Sequence, residues 1–336
     1  MPEPTPSMLN TGARKGWLSA VARGLTLVAA LAFLIRGVRW HEITGATKGA
    51  GAAWPVLMVG LNAVMMSLRA LRLRALLGRR ISFAACFAAR LTSSALNNIT
   101  PLRGGDVARL WMIARAGAVT KSTAAAISVV ENLVELAVLA IVGFSASLLV
   151  AGQRWASVAT PVVFCAAAGV LVVLRTTTSR AAWPAGPVSG NGGLARVGAK
   201  LKGFAARLET GFRAISQPGV LVSASLLSLL AWLCEIAMIV LGARSMNLAV
   251  SPALAAIVLV GVNLALALPS TPAGAGPFEG AVVAVLIFAG VGKSPAVAFA
   301  LYYHAIQVIP VTVVGIAVLL LLKRSAAREA DPASGS

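Results

Sequence analysis

The chain has 336 residues, of which 58% are hydrophobic and 12% are charged, and its mean hydropathy is +0.87. A soluble domain usually carries about twice that charged fraction, so the composition excludes an ordinary soluble protein. The net charge of +19 does not indicate nucleic-acid binding, because the basic residues are not interleaved with aromatic residues that could stack on bases.

Long apolar segments predict an all-α polytopic membrane protein, since about 20 apolar residues cross a bilayer as a helix. We predict six full transmembrane helices, at residues 17–36, 52–68, 122–149, 156–174, 218–242 and 296–322.

The polar segments divide the chain into two membrane halves. The Gly-, Pro- and Ser-rich stretch from residue 176 onwards, followed by an amphipathic pattern, indicates a cytoplasmic linker with an interfacial helix. The predicted organisation is a cytoplasmic tail (1–16), an N-terminal half (17–174), the linker (175–217), a C-terminal half (218–322) and a disordered tail (323–336).

Two further apolar regions, 82–115 and 252–291, are too interrupted to be ordinary transmembrane helices. The first is broken at NNITPLRGG and the second at LPSTPAGAGP. We predict that each is a re-entrant helical hairpin, which enters and leaves the membrane on the same side. The residues that break the helices are Pro101, Gly104, Gly105, Pro269, Pro272, Gly274 and Gly276.

The distribution of lysine and arginine predicts the orientation, because these residues concentrate in cytoplasmic loops. With both termini in the cytoplasm, most of the 29 basic residues lie on the cytoplasmic side, Arg69 and Arg72 among them. The first hairpin then enters from the cytoplasm and the second from outside. Two helix–hairpin–helix units in opposite orientations form an inverted repeat, which is typical of transporters.

The first break has the residues of an anion site. The helix that restarts near Asp106 presents backbone N–H groups and the positive end of its dipole, both of which favour phosphate. Arg103 and Arg109 flank this restart, and Asn97 and Asn98 add amide groups. The alternative is a stabilised kink, with Arg103 reaching the cytoplasmic interface.

The acidic residues inside the apolar segments are informative, because a charge within a bilayer is costly and usually paired. They are Asp106, Glu131, Glu135, Glu235 and Glu279. Glu131 and Glu135 share one helix face, and Arg90 is their natural internal partner. The pattern predicts either a polar pathway, with a carboxylate that exchanges protons, or ion pairs that fix helix packing. His304, alone in its predicted helix, is either a hydrogen-bonding partner or part of a proton relay.

No catalytic set can be assembled from the sequence. We find no Ser-His-Asp combination, paired metal ligands or nucleotide-binding fingerprint. We therefore expect that the protein is not an enzyme and needs no metal ion or cofactor.

Several stretches together carry a family resemblance. ALNNITPLRGGDVARLWMIAR (95–115), AISVVENLVELAVL (126–139), LPSTPAGAGPFEGAVVAVLIFAGV (268–291) and LYYHAIQ (301–307) resemble the transmembrane region of lysylphosphatidylglycerol synthase, a flippase-like membrane family. The resemblance covers roughly residues 20–322 and implies a lipid-translocating membrane domain. Since the chain ends at Ser336, we expect no synthase domain. Asn132 and Glu135 depart from the Arg and Asp expected of the family at these positions.

Carried over to this chain, the resemblance implies a polar loop in each half. The first contains Asn97, Asn98, Pro101, Arg103, Gly105 and Asp106, and the second contains Pro269, Pro272, Gly274, Gly276 and Glu279.

The favoured function is a flippase of the cytoplasmic membrane that moves a lipid with an anionic or zwitterionic phosphate head by alternating access. The expected partner is a membrane phospholipid or another lipid, with a homo-oligomer or a lipid-synthesising enzyme as possible protein partners. The alternatives are a non-transporting scaffold for a lipid-modifying enzyme and an intramembrane enzyme acting on lipid-linked substrates. The residues predicted to contact the lipid are Asn97, Asn98, Arg103, Asp106, Arg109, Arg90, Glu131, Glu135, Glu235 and Glu279.

Overall fold

The structure is a computed structural model that describes residues 51, 53–100, 104–116, 119–150, 218–267 and 271–330. Several predicted elements lie outside these residues: the N-terminal tail, the transmembrane helices at 17–36 and 156–174, the whole linker, Pro101, Arg103 and Pro269.

The described residues form helices and no strand. The helices are α1 (Ala53–Leu76), α2 (Phe83–Ile99), α3 (Gly104–Arg115), α4 (Lys121–Leu149), α5 (Pro218–Ser245), α6 (Pro252–Ala267), a 3-10 helix (Pro272–Gly274), α7 (Pro277–Phe288) and α8 (Lys293–Ala330).

Four of these helices, α1, α4, α5 and α8, are long and apolar enough to cross a membrane. They correspond to four of the predicted transmembrane helices and confirm an all-helical membrane architecture in the described part of the chain. Helix α1 continues eight residues past the predicted end at 68, and α8 continues into the predicted tail at 323–336. The two interrupted regions each form a pair of shorter helices, α2 with α3 and α6 with α7.

Local signals explain where the helices begin. The side chains of Ser82 and Thr120 accept hydrogen bonds from backbone N–H groups in the first turns of α2 and α4. Helices α5, α6 and α7 begin at Pro218, Pro252 and Pro277, where the missing N–H of proline costs nothing. The starts of these five helices therefore follow from residue type.

Helix α2 holds the first short pair against the rest of the protein. It packs against α1, α3 and α8, and it also contacts the 3-10 helix of the second break. Gly105 of α3 and Gly315 of α8 permit this close packing, because a Cβ at either position would overlap a backbone carbonyl of α2, that of Ser93 or of Leu91. The two broken segments thus meet at α2.

A hydrogen bond from α1 compensates for a proline within α8. Pro310 has no N–H, so the carbonyl of Ile306, four residues earlier, loses its helical donor. Asn62, which is buried, donates from Nδ2 to this carbonyl at 3.2 Å and to that of Gln307 at 3.3 Å. The side chain satisfies a polar group that would otherwise be unpaired inside the membrane.

Candidate functional site: a buried ionic cluster between the two halves

Charged side chains from both halves of the chain meet in the interior. The ionic cluster, as we name it, consists of Arg69 and Arg72 of α1, Arg90 of α2, Arg109 of α3, Glu131 and Glu135 of α4, and Glu235 of α5.

Glu131 is the centre of the ionic cluster. Its carboxylate is fully buried and lies 2.6 Å from Arg109 Nη1, 3.0 Å from Arg72 Nη2 and 3.5 Å from Arg90 Nη1. Three guanidinium groups from three helices thus surround one carboxylate. The predicted pairing of Arg90 with a carboxylate of α4 is confirmed.

Arg72 joins α1 to α4 and α5. It has no exposed surface, and its Nη2 donates to Glu131 and, at 3.2 Å, to Glu135, while its Nη1 donates to Ser228 Oγ at 2.8 Å. Glu131 and Glu135 therefore share a helix face, as predicted. Removing a charge from water is expensive, so such an arginine is stable only when carboxylates and hydrogen bonds compensate it.

Arg69 extends the ionic cluster to α5 and α8. Its Nη2 lies 3.2 Å from Glu235 Oε2, and its guanidinium stacks over the ring of Trp232 at 5.2 Å. Glu235 Oε1 accepts hydrogen bonds from Tyr303 Oη at 3.1 Å and from Gln307 Nε2 at 2.9 Å. The polar contacts thus run from α3 to α8 without interruption.

The ionic cluster carries more positive than negative charge. It contains four guanidinium groups and three carboxylates, and the nearby Asp106 accepts from Ser93 and Asn97, each at 3.3 Å. Arg90 is the least satisfied of the four, because among the described residues its one ion pair is the 3.5 Å contact with Glu131. Its side chain also keeps some exposed surface. Arg90 is therefore the guanidinium of the cluster with the most capacity left for a further hydrogen-bond partner.

At the first break, Asn97 binds the start of the next helix. Its Oδ1 accepts from Gly105 N at 2.9 Å, so this N–H is not available to a phosphate. Asn98 donates to Thr312 Oγ1 of α8 at 2.8 Å. Both amides predicted to contact a ligand therefore have partners within the protein, and Arg109 is paired with Glu131.

The second break is held by Glu279 and His304. Gly274 and Gly276 adopt positive φ angles of 74° and 93°, which allow the chain to turn between the 3-10 helix and α7. Glu279 Oε2 accepts from Gly276 N at 2.7 Å, and its Oε1 lies 2.6 Å from His304 Nδ1. The imidazole of His304 is buried.

The two breaks are built alike in one respect. Asp106 and Glu279 each lie in the first turn of the helix that follows the break, and each accepts hydrogen bonds near that break. A carboxylate in this position compensates the positive end of the helix dipole. In the described part of the chain, no group of three His, Cys, Asp or Glu residues is arranged to hold a metal ion.

Sequence reasoning missed Arg69 and Arg72, which we placed in a cytoplasmic loop because they lie in the basic run RALRLRALL. Both belong to α1, and Arg72 is completely buried. The spacing held a signal that the helix continues: Asn62 and Arg69 are seven residues apart, and Arg72 follows three residues later on the same face. Tyr303 and Gln307 were also missed, although both lie in the quoted stretch LYYHAIQ, and nothing in the local sequence marks Ser228.

Comparison with known proteins agrees with this architecture. A family model described as the lysylphosphatidylglycerol synthase TM region matches residues 20–315, which is most of the chain. A search of curated proteins found no significant match. The family match and the long apolar helices together indicate a multi-pass membrane protein linked to lipid metabolism or transport. The chain belongs to the lysylphosphatidylglycerol synthase TM-region family.

Proposed function

We propose that the protein is a lipid translocase that moves a phosphate-bearing lipid across the cytoplasmic membrane. The observation that carries the proposal is the ionic cluster, which joins helices of both halves and contains one guanidinium group, that of Arg90, with a single long contact and some exposed surface. Arginine binds phosphate through two parallel hydrogen bonds, so an incompletely paired guanidinium suits a lipid head.

Arg90 is the residue that first contacts the phosphate in this proposal. It is partly exposed and has one long contact, whereas Arg72 and Arg109 are already paired at 3.2 Å or less. Arg103, which the sequence places at the first break, lies outside the described residues; we propose it as a second positive charge for the lipid head. The two breaks are held in their conformations by the hydrogen bonds of Asn97, Asn98, Asp106 and Glu279.

In the membrane, the short pairs α2–α3 and α6–α7 are re-entrant hairpins from opposite faces. Six full transmembrane helices and two hairpins then form an inverted repeat with both termini in the cytoplasm. The contact of α2 with the 3-10 helix supports this arrangement, because hairpins that enter from opposite sides meet near the middle of the bilayer.

Alternating access follows from exchange of ion-pair partners. The contacts of Arg69 with Glu235 and of Arg72 with Ser228 link α1 to α5. A phosphate that takes over a guanidinium releases part of this link and lets one half rock against the other. Such a cycle breaks no covalent bond, so we assign no enzymatic activity and no cofactor. The lipid is the primary partner; a second copy or a lipid-synthesising enzyme would supply or receive it.

The decisive test is lipid translocation in proteoliposomes with fluorescent lipids that differ only in the head: anionic phosphatidylglycerol, zwitterionic phosphatidylcholine and a neutral glycolipid. Purified protein is expected to accelerate the phosphate-bearing lipids and not the glycolipid. Arg90→Gln is expected to slow this translocation strongly while thermal unfolding changes little, because Arg90 contributes least to the internal pairing.

Arg115→Gln is the matched control, since Arg115 is exposed on α3 and stacks on Trp111 outside the ionic cluster. Equal acceleration of all three lipids, or of none, would overturn the proposed function. An Arg90→Gln protein as active as Arg115→Gln would overturn the role of Arg90.

A further inference from the structure

A histidine–glutamate pair at the second break is outside the ionic cluster and is chemically distinct from it. His304 Nδ1 and Glu279 Oε1 are 2.6 Å apart, and His304 Nε2 lies 3.1 Å from the carbonyl oxygen of Ala273. The ring of Phe278 stacks on the imidazole with its centroid 4.3 Å away. Both nitrogens of the ring are therefore in contact with oxygen atoms.

Both contacts become hydrogen bonds when the pair holds two protons. A carbonyl oxygen only accepts, so Nε2 must carry a proton to make its hydrogen bond. The short contact between Nδ1 and Oε1 needs a second proton, on the imidazole or on the carboxyl group. A neutral imidazole beside an ionised carboxylate has one proton too few, and a nitrogen lone pair would then face Oε1.

The same contacts connect the protonation state to the shape of the break. Ala273, whose carbonyl is bound by His304, has a positive φ of 57°, which is unfavourable for a residue with a Cβ. The other carboxylate oxygen of Glu279 accepts from Gly276 N. The pair thus ties both ends of the turn between the 3-10 helix and α7 to α8.

The turn that the pair holds is also where the two broken segments meet, because the 3-10 helix contacts α2. Loss of one proton would remove a hydrogen bond from the turn and leave a conformation that is strained at Ala273. The turn would then change its conformation and its contact with α2, the helix that carries Arg90.

We propose that the His304–Glu279 pair is a proton-binding site whose loading and release move the second break, so that lipid translocation is coupled to the proton gradient. This inference rests on the proposed function for its transport step but not for its proton step.

Ionisable groups on the helices packed against α8 have partners other than His304. Glu235 of α5 binds Tyr303, Gln307 and Arg69, while Arg72 of α1 and Arg90 of α2 bind glutamates of α4. In the described part of the chain, Glu279 is the carboxylate that contacts His304. The proton can therefore be assigned to one histidine and one glutamate.

The protonation of His304 can be observed directly, because the chain has one other histidine, His41, which can be replaced. In a His41→Asn protein, labelled with ¹⁵N-histidine and embedded in lipid vesicles, every imidazole signal in solid-state NMR comes from His304. As the pH rises, we expect the ring to pass from protons carried or shared at both nitrogens to a proton at one. Glu279→Gln should leave the ring neutral where the parent protein holds both protons.

An imidazole that keeps one unchanging state over the whole pH range would overturn the proton site, whether that state is neutral or doubly protonated. The NMR result does not depend on transport, so it judges the proton site even if no lipid moves.

The coupling is tested in proteoliposomes with a pH gradient imposed in either direction. For the His41→Asn protein, a fluorescent phosphatidylglycerol should move faster with one gradient than with the other. His304→Gln and Glu279→Gln, checked for folding by thermal unfolding, should lose this difference. A rate insensitive to the gradient in the His41→Asn protein would overturn the coupling while leaving the proposed function intact; absence of all translocation would overturn the proposed function itself.

Discussion

Asn62 of α1 supplies to Ile306 of α8 the hydrogen bond that Pro310 cannot provide. The two residues belong to helices in different halves of the chain, so a defect in one helix is corrected by the other. The burial of the polar Asn62 side chain is explained by the carbonyl of Ile306, which needs a donor.

Replacing Asn62 by Leu should lower the free energy of unfolding by about 1–3 kcal/mol, because the carbonyl of Ile306 loses its donor and that of Gln307 loses one hydrogen bond. The loss is measured as a lower apparent melting temperature in detergent. Asn263→Leu is the control, since Asn263 donates to Leu259, the carbonyl four residues earlier in its own helix. Asn263→Leu should lower the free energy of unfolding by less than Asn62→Leu does. Adding Pro310→Ala to Asn62→Leu should recover stability, because residue 310 regains its N–H; no recovery would refute the explanation.

Glu131→Gln should be strongly destabilising, by about 3–5 kcal/mol, because three guanidinium groups lose their shared carboxylate. Glu135→Gln should cost less, since Glu135 is partly exposed and Arg72 retains Glu131. Chemical unfolding of the purified variants gives both values. A double-mutant cycle with Arg109→Gln should show positive coupling between Arg109 and Glu131. Equal losses at the two glutamates would contradict the central position of Glu131.

Gly105→Ala should disrupt the packing of α3 on α2, because the added Cβ overlaps the carbonyl oxygen of Ser93. Overpacking of this kind costs about 1–3 kcal/mol and should reduce both the yield and the melting temperature of the folded protein. Gly280→Ala in α7 is the matched control, because a Cβ there meets nothing within 4 Å. That replacement should be neutral or stabilising. A Gly105→Ala protein as stable as the control would show that α2 and α3 are not so closely packed.

The proposed re-entrant arrangement predicts which exposed turns share a side of the membrane. In a background without the three native cysteines, Arg80→Cys and Ala116→Cys flank the first short pair, and Ser251→Cys and Gly292→Cys flank the second. A membrane-impermeant thiol reagent applied from outside should label the second two and spare the first two. The reverse pattern would invert the orientation and leave the hairpins intact. Unequal labelling within either set would mean that this short pair crosses the membrane.

Much of the described fold was predictable from the sequence, because long apolar runs and Pro-Gly breaks act locally. The pairing of Arg90 with a glutamate of α4 was also predicted, since a buried charge needs a partner. The roles of Arg69 and Arg72 were not predicted, because a basic run at the end of an apolar segment is the usual sign of a cytoplasmic loop. Whether such an arginine is buried depends on α4 and α5, which lie far away in sequence.

The position of Arg72 between two carboxylates affects how the helices can slide. Glu131 and Glu135 are one helical turn apart, a distance of about 5.4–6 Å along α4. If α4 shifted along its axis by a fraction of that turn, the guanidinium would approach one carboxylate as it left the other. A one-to-one ion pair resists such a shift, because its charges would be left buried without a partner. Arg72, shared by two carboxylates, keeps a counter-ion throughout, so this contact allows α4 to shift along α1.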